Sequence, residues 1–149
     1  MNPISCLLAC AFSLCPAGLW SAATSARDPG FRQETPTHFP RITCEELKRL
    51  IDAGANDIVI VDNQPEESYK EGHIPGAINF PWTDRIKPPV NLPRNKTLIM
   101  YCACLEEEDS LDMALKLREF GYRNIELFKG GWLRWEELNC PVERKNQPR

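Results

Sequence analysis

The chain has 149 residues, 42% of them hydrophobic and 26% charged, the balance of one ordinary globular domain with enough apolar side chains for a core. Its formal net charge of -3 supplies no basic field that would draw it onto nucleic acid or anionic lipid. Nucleic-acid binding is therefore set aside.

Residues 4–20 are apolar and rich in Leu, Ala and Cys, and they run into Ser21-Ala22-Ala23-Thr24-Ser25-Ala26 before the first charge at Arg27. An apolar run followed by small residues is the order of a secretory signal, with cleavage expected after Ala23 or Ala26. Met1-Asn2-Pro3 carries no Lys or Arg, and Leu7-Leu8-Ala9-Cys10 has the look of a lipoprotein box with too few apolar residues ahead of it. As an uncleaved anchor the run is short for roughly 30 Å of hydrocarbon, and Pro16 and Gly18 interrupt it. The expectation is a signal peptide over residues 1–26 and an exported protein, periplasmic or secreted, with no membrane span in the mature chain.

Cys6, Cys10 and Cys15 would leave with the leader, so Cys44, Cys102, Cys104 and Cys140 would remain. Four thiols in an oxidising compartment allow three connectivities, and sequence does not choose among them. Cys102-x-Cys104 without a second clustered pair falls short of a four-ligand zinc site.

Residues 27–40 hold three prolines, a glycine and scattered polar side chains without a period, the composition of a flexible lead-in. The domain is expected from residue 41 to the end. Thr43 stands three residues before Glu46, a capping pair, and Leu47, Leu50 and Ile51 follow at helical spacing until Gly54. Residues 58–61 are a continuous β-branched run closed by Asp62, as expected of a strand buried on both faces. Residues 66–71 predict a short helix ended by Gly72, and residues 77–80 a second, shorter strand. Four prolines between Pro81 and Pro93 rule out regular structure throughout that segment.

Residues 97–101 predict the third strand. Over residues 110–120, Leu111, Ala114, Leu115 and Leu117 make one helical stripe that stops at Gly121. Residues 125–128 predict another strand, and Gly130-Gly131 leads into a closing helix through Leu138. Strands alternating with helices in this way predict an α/β fold, an open, mostly parallel sheet flanked by helices on both faces.

In such sheets, sites form beyond the carboxyl ends of the strands. Cys102 follows directly on the strand of residues 97–101 and precedes the helix expected near Ser110. A thiol there faces a helix N-terminus, whose unpaired amide groups and positive dipole end favour thiolate over thiol. The spacing is equally compatible with a small residue buried at a strand end.

Residues 62–69 (Asp-Asn-Gln-Pro-Glu-Glu-Ser-Tyr), residues 71–79 (Glu-Gly-His-Ile-Pro-Gly-Ala-Ile-Asn) and Pro81 resemble the first signature of the rhodanese superfamily. Tyr101-Cys102, the helix to Gly121-Tyr122, and Leu127-Phe128-Lys129-Gly130-Gly131-Trp132 with Trp135 resemble its active-site strand, loop and closing motif. The resemblance covers residues 41–142 and implies a rhodanese fold with a persulfide formed on Cys102 and passed to an acceptor. It also implies no metal or organic cofactor.

Two departures bear on the donor. The loop Cys102-Ala103-Cys104-Leu105-Glu106-Glu107-Glu108-Asp109-Ser110 is longer than the family's compact loop, lacks its glycine and basic residue, and resembles a subgroup with Cys-x-Cys here. Gln64 stands where the family usually has arginine. Both changes argue against thiosulfate, which would meet Glu106, Glu107, Glu108 and Asp109 instead of a cation.

Cys104 is a candidate for resolving the Cys102 persulfide or for closing a small disulfide with it; the alternative is a loop side chain turned inward. The acidic run is either a solvated first helical turn or a selector for a neutral or cationic donor. Within Gly-His-Ile-Pro-Gly the resemblance implies a structural turn role for His73. Asp62 is expected to order the active loop or to cap a strand end, and Trp132 and Trp135 to belong to the core. Cys44 and Cys140 flank the domain and either pair or remain buried thiols.

The resulting expectation is a sulfurtransferase with Cys102 as nucleophile, its partners a small-molecule or protein persulfide donor and a thiol acceptor. The backbone amides of residues 103–110 would hold the transferred sulfur. The rival is a rhodanese-like binding or thiol-redox module using the Cys102/Cys104 loop. A phosphatase of related fold would need an arginine closing the loop, and none follows Cys102 until Arg118.

Overall fold

The computed structural model of the protein describes residues 38–104 and 106–145. The leader expected over residues 1–26 lies outside them, as do residues 27–37 of the lead-in and Leu105. Among the described residues no helix is long and apolar enough to cross a membrane.

Strand β1 (Arg41–Ile42) is followed at once by α1 (Cys44–Asp52). Thr43 caps α1 reciprocally: its hydroxyl accepts the Glu46 amide at 3.3 Å, and the Glu46 carboxylate accepts the Thr43 amide at 2.9 Å. A cap of this kind stabilises a helix by about 1 kcal/mol. Next come β2 (Ile58–Asp62), α2 (Glu66–Glu71), β3 (Ile78–Asn79), β4 (Thr97–Tyr101), α3 (Glu108–Glu119), β5 (Ile125–Phe128) and α4 (Gly131–Glu137). Helix α3 begins before Ser110, because Glu108 and Asp109 fill a first turn where carboxylates meet the positive end of the helix dipole.

The five strands form one parallel sheet in the order β1-β5-β4-β2-β3. Successive residues of a strand face opposite sides. Val61, Leu98, Met100, Ile125 and Leu127 therefore pack with Met113, Ala114 and Leu117 of α3 on one face. Ile60, Ile99, Tyr101 and Phe128 pack with Leu47 of α1, Tyr69 of α2, and Trp132 and Trp135 of α4 on the other. The sheet is thus covered on both faces, as the continuous β-branched runs predict.

From sequence, Phe39 and Pro40 belong to the lead-in. In the structure Phe39 is buried in the α3-side core, and the Pro40 carbonyl accepts the Leu127 amide at 2.9 Å. A two-residue strand is too short to show a period, and the prolines that precede it mask it. The segment of residues 81–93 is irregular, as its prolines require, yet it tucks Ile86 and Leu92 into the same core.

Cys44 and Cys140 are free thiols whose sulfur atoms lie 3.3 Å apart. Burial, and then the hydrogen bond with Cys140, push the Cys44 thiol up to about 12, so it is protonated at neutral pH. A disulfide requires the sulfurs to close to roughly 2.05 Å. Diamide treatment is expected to join them, giving a cross-linked peptide in a non-reducing map. The bond would close a loop across a sequence separation of 96 residues and raise Tm, by up to ~4.7 kcal/mol of stability on the chain-entropy estimate. Two thiols still open to alkylation after oxidation would refute the pairing.

Candidate active site

Central strand β4 ends at Tyr101, and the chain turns through residues 102–107 before α3 begins. Cys102 is 1% exposed, whereas Ala103 is exposed and Cys104 half-buried. The sulfurs of Cys102 and Cys104 form a disulfide, with the two Cα atoms 5.4 Å apart. The Cys102 sulfur is 3.8 Å from the hydroxyl oxygen of Ser110, which is buried in the first turn of α3 and donates to the Glu107 carbonyl at 3.0 Å. The strand end and the helix start thus bring Cys102 and Ser110 together.

The backbone of Cys102 is held from below by the turn between β5 and α4. The Trp132 amide donates to the Cys102 carbonyl at 2.8 Å. Gly131 has φ of +53°, and a Cβ there would overlap the Cys102 carbonyl oxygen. Only glycine combines that left-handed backbone with so close an approach. Trp132 and Trp135 themselves are buried in the core, as expected.

The acidic run divides. Glu106, Glu108 and Asp109 are exposed, but Glu107 is buried with left-handed backbone (φ 63°). Its carboxylate accepts from the Arg41 guanidinium at 2.8 Å and from the Gly130 amide at 3.3 Å. A solvated first turn therefore describes three of these residues and not Glu107. The reversal at a left-handed residue sends its side chain back toward β1, which no helical period in the sequence signals. One cation does reach the loop, but it is committed to Glu107.

Asp62 is fully buried at the end of β2, where the parallel register sets it beside Tyr101. Its carboxylate accepts from the Gln64 amide at 2.8 Å, from the Gln64 side chain at 3.1 Å and from the Tyr101 hydroxyl. The same hydroxyl accepts the Ile74 amide at 3.1 Å, and the Asn63 amide donates to the Tyr101 carbonyl at 2.8 Å. Asp62 thus fixes the residue before Cys102 rather than the loop itself. Gln64, in the place of the family's arginine, is bound into this network. Burial pushes the Asp62 carboxyl up, opposed by the hydrogen bonds from Tyr101 and Gln64. Burial, then the Asp62 charge, hold the Tyr101 phenol up as well, so it remains a donor.

A rhodanese-like domain model matches residues 43–138. The chain belongs to the rhodanese-like family. The BH2092 protein of Bacillus halodurans is similar in structure, with a TM-score of 0.65 and 30% identity over 71% of this chain and 77% of that one. The HTH-type transcriptional regulator Rv0324 of Mycobacterium tuberculosis is 33% identical over 68% of this chain. The adenylyltransferase and sulfurtransferase UBA4 of Meyerozyma guilliermondii is 30% identical over 66% of it. The chain spans 44% and 24% of the lengths of these two curated relatives.

Within this rhodanese-like domain His73 is buried and stacked on Tyr69, with its Nδ1–H donating to the Tyr69 carbonyl at 2.6 Å. Its backbone bridges to Glu143. These are the bonds of a turn-holding residue.

Tyr101→Phe removes a donor to Asp62 and an acceptor for Ile74, an expected cost of about 1–3 kcal/mol. Loss of the donor should raise the Asp62 pKa further. A carboxyl with a raised folded pKa contributes stability that is full below its unfolded pKa and lost as pH rises through the folded one. The deficit of Tyr101→Phe is therefore expected to grow from pH 4 to pH 7 in urea denaturation. A deficit independent of pH would exclude this coupling.

Proposed function

We propose that this rhodanese-like protein is a sulfurtransferase that carries sulfane sulfur as a persulfide on Cys102 and passes it to a thiol acceptor. The observation that carries the proposal is the placement of the Cys102 sulfur between the end of the central parallel strand and the first turn of α3, 3.8 Å from Ser110. Family membership and the sulfurtransferase activity in the name of the Meyerozyma relative support it.

With the loop reduced, the α3 amino end favours the Cys102 thiolate. The thiolate attacks the outer sulfur of a donor persulfide and expels the donor thiolate, leaving Cys102 as the persulfide. An acceptor thiolate then takes that outer sulfur and returns Cys102 to thiolate. Arg41 is neutralised by Glu107, and Glu106, Glu108 and Asp109 are exposed beside the loop, which disfavours a dianionic donor. A neutral or protein-bound persulfide fits better than thiosulfate. The transfer would take place outside the cytoplasm, once the leader of residues 1–26 is removed.

A second reading, a thiol-redox module, draws its support from the Cys102–Cys104 disulfide. Intact mass spectrometry of the reduced protein after exposure to cysteine persulfide, polysulfide and thiosulfate in turn separates the two. Expected is a gain of one sulfur that Cys102→Ser abolishes, with thiosulfate the weakest donor. A chain that never gains sulfur, while its loop cycles between dithiol and disulfide, belongs to the redox module instead.

Export has its own readout. Expressed with its leader in a bacterial host, the protein is expected outside the cytoplasm with its N-terminus near Thr24 or Arg27, and a full-length cytosolic product would contradict this.

A further inference from the structure

The loop holds two sulfurs where sulfur transfer by Cys102 needs one. We infer that Cys104 is a built-in resolving thiol. It attacks the inner sulfur of the Cys102 persulfide, releases the carried sulfur as hydrogen sulfide, and leaves a Cys102–Cys104 disulfide that a dithiol reductant reopens. The inference rests on the persulfide proposed above and adds to it a second, reductive outlet.

Geometry decides which sulfur Cys104 attacks. A thiolate that takes the outer sulfur of a persulfide transfers it, whereas one that takes the inner sulfur expels sulfide. The inner sulfur is Cys102 Sγ itself, which is buried behind the outer sulfur of the persulfide, so a dissolved thiol meets the outer sulfur first. Cys104 is already bonded to that atom. The Cα separation of 5.4 Å lies inside the ordinary disulfide range of about 4.4–6.8 Å, so resolution needs no rearrangement of the loop backbone.

Both ends of the loop are fixed, Cys102 by the Trp132 amide and Glu107 by Arg41 and the Gly130 amide. Two groups held in one short, anchored segment react as a unimolecular pair. External acceptors and Cys104 therefore compete for one persulfide at different atoms.

The balance closes without an oxidant. Cys104 thiolate forms a bond to Cys102 Sγ, the Cys102–sulfane bond breaks, and hydrosulfide leaves with the electron pair. The sulfane sulfur is reduced to sulfide as the two cysteines are oxidised to the disulfide. Reset consumes one dithiol, which becomes a disulfide. Its first thiolate attacks Cys104 Sγ, since Cys104 is the half-exposed partner, and Cys102 departs as the thiolate at the α3 amino end. The second thiol then frees Cys104.

The test mixes reduced protein with one equivalent of cysteine persulfide, quenches with an alkylating agent over time, and follows protein mass and dissolved sulfide together. Wild type is expected to release one sulfide per chain while Cys102 and Cys104 become refractory to alkylation, with dithiothreitol restoring both. Cys104→Ser is expected to hold the extra sulfur on Cys102 and to release sulfide at least about tenfold more slowly. Thermal melting confirms that the variant is folded, and Cys102→Ser/Cys104→Ser corrects for sulfide from the donor alone. Sulfide release by Cys104→Ser at the wild-type rate overturns the inference but leaves Cys102 as carrier. If Cys104→Ser gains no sulfur, the carrier proposal itself fails and the outlet with it.

Discussion

The hydrogen bond from the Trp132 amide to the Cys102 carbonyl joins the two halves of the candidate site. It requires the β5–α4 turn to approach the β4 loop so closely that a side chain at Gly131 has no room. Gly130 and Gly131, both left-handed, let the chain turn there and still begin a helix. The Gly-Gly-Trp sequence is therefore a backbone bracket. Its amide holds Cys102 in place while the Trp132 side chain packs into the core.

Around that bracket, polar groups of three strands and of the loop are satisfied by one another. β2 contributes Asp62 and β4 contributes Tyr101, and their parallel register makes the pair adjacent. β1 contributes Arg41, whose ion pair with Glu107 closes the far side of the loop. Both carboxylates are buried, and each is compensated by at least two donors, the condition under which a buried charge can be kept. A loop so held keeps its two sulfurs in a fixed place. Cys102 is shielded there, while Cys104 is left half-exposed.

Much of this is local and so was legible in the chain. The capping pair Thr43/Glu46, the limits of α2, β4 and β5, and the two-faced covering of the sheet follow from spacing and from continuous apolar runs. These features depend on residues within a few positions of one another or on the period of one segment. The placement of Cys102 at a strand end before a helix is of the same kind.

What the tertiary structure decided are the meetings of residues far apart. Glu107 with Arg41, Trp132 with Cys102, Cys44 with Cys140, and Phe39 with the α3-side core each join separate segments. None leaves a periodic trace, because the side chain or amide involved is set by a turn, a left-handed residue or a two-residue strand. Glu107 is the clearest instance: its sequence neighbours are acidic and solvated, and only the reversal of the backbone at that residue sends its carboxylate inward. Sequence fixes local conformation through short-range sterics and hydrogen bonding; the partners across the fold are fixed by how the finished elements pack.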